Sequence, residues 1–98
     1  QLELMKPEAI IVNTGRGALI DEEALLECLS QGRIKGAGLD VFATEPLPAG
    51  HPFTKLDNVV LSPHVAAHTP ETTEVGIRMA LDNIASFLEG NPTNVFTP

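Results

Sequence analysis

The stretch Ile10–Gly17, IIVNTGRG, joins four residues of strand character to a loop in which an arginine stands between two glycines. Ile10–Asn13 is short, apolar and β-branched, follows the breaker Pro7, and reads as a strand buried on both faces, the mark of a parallel sheet. Such a strand delivers its loop to the crevice where sheets of this kind bind ligands. Beyond it, Asp21 stands where an N-cap belongs, Glu22 and Glu23 favour the positive end of a helix, and Ala24, Leu25, Cys28 and Leu29 mark one face until Gly32. Further strands are expected at Ala37–Val41, after the punctuation of Gly36 and Gly38, and at Asn58–Ser62, ended by Pro63. Between them Pro46, Pro48, Gly50 and Pro52 make a loop too proline-rich for regular structure. Thr69 as N-cap and Pro70 at the first helical position open a long helix over 70–90, in which Ile77, Leu81, Ile84 and Leu88 repeat at helical spacing as a core or interface stripe. Gly90 and Pro92 close it, and Asn91–Pro98 reads as extended. Strands alternating with helices imply an α/β fold, a parallel sheet with covering helices.

Composition limits the function. The 98 residues allow one domain at most, and 43% hydrophobic with 19% charged residues is ordinary for a globular chain. Thirteen acidic against six basic residues, net charge −7 and no basic run, leave no surface for neutralising nucleic-acid phosphates. No apolar stretch approaches a membrane span, and no signal-peptide pattern opens the chain. A single cysteine, Cys28, cannot form an internal disulfide, which fits a reducing, cytoplasmic setting, and its helical surroundings make it core filler rather than nucleophile. QLELMKPEA at the start reads as the tail of an earlier element, so a fragment is expected.

Three polar clusters follow the three strands: Asn13–Arg16, Asp40–Glu45 and His64. At the carboxyl ends of parallel strands, Arg16, Asp40, Glu45 and His64 are expected to converge on one crevice edge. Arginine's planar fork matches a carboxylate or an adjacent keto oxygen and stays charged at neutral pH. Histidine gives or takes a proton near neutrality, and a glutamate beside it would favour its protonated form and fix its orientation. Asp40 could accept hydrogen bonds from an amide-bearing ligand. An anion clamp with a carboxylate-tuned proton donor suits reversible reduction of a carbonyl next to a carboxylate.

In order and spacing, NTGRG, DEEAL, GAGLDVFATEP and SPHVA resemble the successive signatures of the NAD(P)-dependent D-isomer-specific 2-hydroxyacid dehydrogenases, over almost the whole chain. The resemblance implies the latter part of a Rossmann-type NAD(P)-binding domain, with the long helix leading back to a substrate domain. It further implies that Arg16 holds the carboxylate and carbonyl oxygens of a 2-oxo acid, and that His64 protonates the carbonyl as hydride arrives from NADH or NADPH. Glu45 would pair with His64. Asp40 would sit by the nicotinamide carboxamide, approached also by backbone at Thr14, Gly15, Ala66 and Ala67. Glyoxylate, hydroxypyruvate or 3-phosphoglycerate-like substrates and a homodimeric parent belong to the same implication.

Two departures stand out. The family motif often has glycine two positions after the histidine, where this chain has Ala66, a mild change if φ there stays negative. No G-x-G-x-x-G follows a strand, so neither the pyrophosphate loop nor the acidic residue that reads the adenosine ribose is expected in this segment. The 98 residues alone are therefore expected to be inactive. His51 and His68 read as loop residues: although His64 and His68 are four apart, Val65 occupies the place of the glutamate in H-E-x-x-H, so no metal is expected. Asp21, Glu22 and Glu23 read as helix capping rather than as a carboxylate site. The alternative function is a non-enzymatic, corepressor-like binding protein on the same fold.

Overall fold

A computed structural model describes residues 1–96, which divide into two compact units, Gln1–Ala66 and a second beginning at Ala67. The first carries β1 (Ile10–Asn13), α1 (Glu22–Ser30), β2 (Gly36–Leu39) and β3 (Val59–Leu61), with 3-10 turns at Leu2–Leu4, Gly17–Leu19 and Pro52–Lys55. All three strands are parallel, in the order β1-β2-β3, with Ile11 opposite Ala37 and Ala37 opposite Val59. As expected, Asp21 caps α1, its Oδ1 accepting the Ala24 N–H at 3.0 Å. Gly32, at φ 64°, supplies the left-handed turn that ends it.

The core lies on one face of this sheet. Leu25, Cys28 and Leu29 of α1 pack with Ile34, Ala37, Leu39, Phe42 and Phe53, and Ile11, Val59 and Leu61 complete the layer. Each Leu- or Phe-sized side chain buried in this way contributes about 1.5–3 kcal/mol. Cys28 is core filler, as its setting implied. The other face of the sheet carries Ile10, Val12 and Val60, and Val12 and Val60 are 68% and 74% exposed. This corrects the expectation of a strand buried on both faces. An apolar run has the same sequence whether or not something covers its second side, and among the described residues of this unit nothing does.

Strand limits shift for a physical reason. β2 begins at Gly36, a residue read from sequence as punctuation, because a Cβ there would stand 2.7 Å from the Asn58 carbonyl oxygen. Glycine lets the chains approach, and that carbonyl accepts the Ala37 N–H at 3.0 Å. Val41 leaves the ladder because the following amides turn to carboxylates. The proline-rich loop is not wholly irregular: His51 caps the 3-10 turn Pro52–Lys55, its Nδ1 accepting the Phe53 N–H at 3.3 Å, while Phe53 enters the core.

The second unit is built on α2 (Pro70–Leu88), opened by Thr69 and Pro70 as expected. Thr72 closes a reciprocal capping box with Thr69. Ile77, Leu81, Ile84 and Leu88 are all exposed. Asn91 to Phe96 form no regular element, and the Asn94 side chain returns to Asn83 Oδ1 at 2.9 Å. Thr97 and Pro98, in the segment expected to be extended, lie outside the described residues.

Candidate active site

All three loops that follow strand carboxyl ends carry chemistry, and they are wired to one another. After β1, Asn13 is buried and folds the loop on itself, its Oδ1 accepting the Gly15 N–H at 3.1 Å and its amide donating to the Arg16 carbonyl at 2.9 Å. Thr14, Gly15 and Arg16 are left exposed. The Arg16 guanidinium donates from Nη1 to the Gly15 carbonyl at 2.6 Å, and among the described residues it has no ion-pair partner, so most of its five donors face outward. Gly17 follows with no room for a side chain: a Cβ there would lie 2.0 Å from the Phe42 carbonyl carbon.

Asp40, at the end of β2, is only 3% exposed. Its backbone N–H extends the ladder to the Asn13 carbonyl, and its carboxylate faces the third loop. Oδ1 accepts the Ser62 hydroxyl at 2.5 Å and the Val65 N–H at 2.9 Å, and Oδ2 accepts the Ala66 N–H at 2.9 Å. These donors, the Ser62 hydroxyl foremost, hold the carboxyl below its ordinary value of 3.8 although desolvation pushes the other way. Sequence reading offered Asp40 to a ligand amide; the structure commits three of its roughly four acceptor positions to the loop that carries His64.

His64 adopts φ 57°, in the left-handed region, while Ala66 does not have positive φ, so alanine in place of the common glycine is tolerated there. The His64 ring, 46% exposed, places Nδ1 2.7 Å from Glu45 Oε2. Glu45 Oε1 accepts the Phe42 N–H at 2.9 Å, so both of its oxygens are engaged. The His64 ring first, then the Phe42 amide, with a smaller contribution from the Arg16 charge, keep the Glu45 carboxyl below its ordinary 4.5. With a carboxylate on Nδ1, the ring carries its proton there and turns Nε2 to the outside, where it can exchange a proton with a bound molecule.

Arg16, Asp40, Glu45, His64 and Ala66 therefore belong to one set of strand-end loops. Ala67, singled out with them, lies in the second unit, where its carbonyl accepts the Thr69 N–H. Sequence reading missed Ser62, treated as a strand end, and Glu22, treated as capping alone: Glu22 Oε1 accepts the Ala43 N–H at 2.7 Å. The available signal for Glu22 was its place in the first helical turn, whose side chains tilt back toward the preceding loops. Nothing in DEEAL separates it from its neighbours. Among the described residues no group of three or more His, Cys, Asp or Glu could hold a metal ion, and no helix is long and apolar enough to cross a membrane.

Residues 1–66 match the family model described as "D-isomer specific 2-hydroxyacid dehydrogenase, NAD binding domain". The chain belongs to this family. Among its relatives, glyoxylate/hydroxypyruvate reductase B of Pectobacterium carotovorum is 51% identical over 90 residues, covering 92% of the chain and 28% of the relative. An acyclic imino acid reductase, solved with NADPH and D-arginine, superposes with a TM-score of 0.85 at 44% identity, over 98% of the chain and 30% of that protein. The NADPH-dependent glyoxylate/hydroxypyruvate reductase of Sinorhizobium meliloti, with NADP and malonate, gives 0.73 at 37% identity over 89% of the chain and 27% of its own. The segment thus spans less than a third of the length of these relatives, and its parallel sheet is part of a Rossmann-type domain.

Proposed function

We propose that the intact dehydrogenase carrying this segment interconverts a 2-oxo acid and a D-2-hydroxy acid. The observation that carries the reading is the His64–Glu45 pair at 2.7 Å, set beside the outward-facing Arg16 at the ends of parallel strands. The guanidinium grips the substrate carboxylate in bidentate fashion and orients the neighbouring carbonyl, a geometry that lysine's point charge cannot reproduce. His64, its ring held through Nδ1 by Glu45, delivers a proton from Nε2 to the carbonyl oxygen and recovers it in the reverse direction. A nicotinamide cofactor, NAD or NADP, supplies or accepts the hydride when bound.

The residues present suit the reacting end of that cofactor. Thr14 and Gly15 lie exposed, with the Gly15 N–H given to Asn13 and its carbonyl to Arg16, and Asp40 keeps one acceptor position on Oδ2 for a carboxamide. Ala66 has given its N–H to Asp40 and retains its carbonyl; Ala67 is included on the resemblance alone. This sequence carries no G-x-G-x-x-G, so the proposal takes NAD and NADP alike. Small 2-oxo acids such as glyoxylate and hydroxypyruvate are the substrates favoured by the relatives' names, while a homodimeric parent rests on the family resemblance and a cytoplasmic setting on the lone cysteine. No observation favours the corepressor-like alternative, since the matched relatives are named as reductases and dehydrogenases.

In the intact protein, His64→Ala is expected to lower kcat for glyoxylate reduction roughly 10²–10⁴-fold while the cofactor Kd stays near that of the parent. Unchanged turnover would refute the assignment.

A further inference from the structure

We propose that Glu22 is a positioning residue for the reaction, holding the turn that presents Glu45 to His64; this rests on the roles given above to those two residues. Glu22 is the first residue of α1, and Asp21 before it already serves as N-cap by taking the Ala24 N–H. Side chains in a first helical turn lean toward the helix start. That lean carries Glu22 Oε1 across 21 residues of sequence to the Ala43 N–H, at 2.7 Å. The preceding amide, Phe42 N–H, donates to Glu45 Oε1 at 2.9 Å. Two consecutive amides of one turn are thus taken by two carboxylates, one belonging to the candidate proton-relay pair and one outside it.

The same peptide is confined from another side, because a Cβ on Gly17 would come within 2.4 Å of Ala43 N. Phe42, just before it, is buried in the core. With its backbone fixed by Gly17, Phe42 and Glu22, the turn has little freedom to carry Glu45 away from His64 Nδ1. Without Glu22, the Ala43 amide loses its acceptor, the turn relaxes, and Glu45 is free to swing out of the 2.7 Å contact. Glu22 has no hydrogen bond to His64 or Arg16, so it acts through Glu45.

Three substitutions in the intact enzyme separate this role from a charge effect at the helix start. Glu22→Gln keeps a carbonyl acceptor at the same reach. Glu22→Asp keeps the charge beside the positive helix end but shortens the side chain by one methylene, and Glu22→Ala removes both. Glu22→Ala and Glu22→Asp are expected to reduce kcat roughly ten- to hundredfold, the cost of a small misplacement, with cofactor Kd unchanged and the pH profile of reduction altered as in Glu45→Gln. Glu22→Gln should stay within a few-fold of the parent. In a Glu45→Gln background the further effect of Glu22→Ala should vanish, since both changes act on one contact.

A benign Glu22→Asp with a damaging Glu22→Gln would overturn the inference in favour of the helix charge, and so would additive losses in the double variant. If Glu22→Ala does not fold, the Asp and Gln pair still decides. An intact parent that reduces no 2-oxo acid would overturn the proposed function itself, whereas an active parent indifferent to all three substitutions would overturn only the role of Glu22.

Discussion

At His64 the backbone takes φ 57°, a conformation that costs a residue with a side chain roughly 1–3 kcal/mol and persists only where neighbours enforce it. The enforcement is visible: the next two amides, Val65 and Ala66, both donate to the buried Asp40. Glu45 then fixes the ring. Its lowered carboxyl means that the stabilisation from this contact is fully present above the ordinary 4.5 and is lost as pH falls through the lower folded value. For activity the sign follows from charge. Glu45 holds the His64 ring only while it is ionised, so Glu45→Gln should remove the part of the acid limb of the kcat profile for reduction that follows protonation of Glu45 in the intact enzyme. An unaltered profile would mean that the two side chains do not meet in solution. The placement of Arg16, Glu45 and His64 in loops after strands was legible because each loop follows an apolar run. The internal use of Asp40 was not, since an aspartate after a strand looks the same whether its carboxylate faces a ligand or its own loop.

Among the elements, the contact between the β1 loop and the β2 loop is the tightest. Gly17 meets Phe42 and Ala43 backbone on the side where a Cβ would go, whereas a Cβ on Gly15 would meet side-chain atoms alone, the far end of Leu19 at 3.1 Å and Asn13 Oδ1 at 3.6 Å. Gly17→Ala is therefore expected to destabilise the intact protein by about 1–3 kcal/mol through forced displacement of the loops, with a matching loss of turnover. Gly15→Ala should be much milder. Equal thermal shifts for the two would show that the loops are not in close contact. Element types and order were readable from hydrophobic period and caps, with Asp21 and Thr69 correct to the residue. Limits around glycine were not: Gly36 reads as a breaker in sequence, yet it extends β2 because a neighbouring carbonyl needs the space where its side chain would be. The loop closure by Glu22 was illegible for a related reason, since it joins residues 21 apart that only the fold brings together.

For the whole molecule, the open face of the first unit's sheet carries Ile10, Val12 and Val60, and β1 is an edge strand among the described residues. In the second unit the stripe from Ile77 to Leu88 is exposed as well. Bare apolar surface and an unpaired edge find other chains. The 98-residue segment alone is expected to sediment as an oligomer or aggregate and to show no measurable NADH binding by fluorescence titration, and a stable monomer that binds NADH would contradict this. Within the first unit, the amides of Phe42, Ala43, Val65 and Ala66 all end on carboxylates. Such a site is assembled largely from peptide groups, which every amino acid except proline can offer. Side-chain identity at these four positions is therefore loosely constrained by the hydrogen bonds themselves, and Ala66, where the chain departs from the common glycine, is a case in point: the position requires a donor, and alanine provides the same one. Substitution at such places leaves the geometry standing, whereas removing any of the three acids that receive the amides releases the turn it holds.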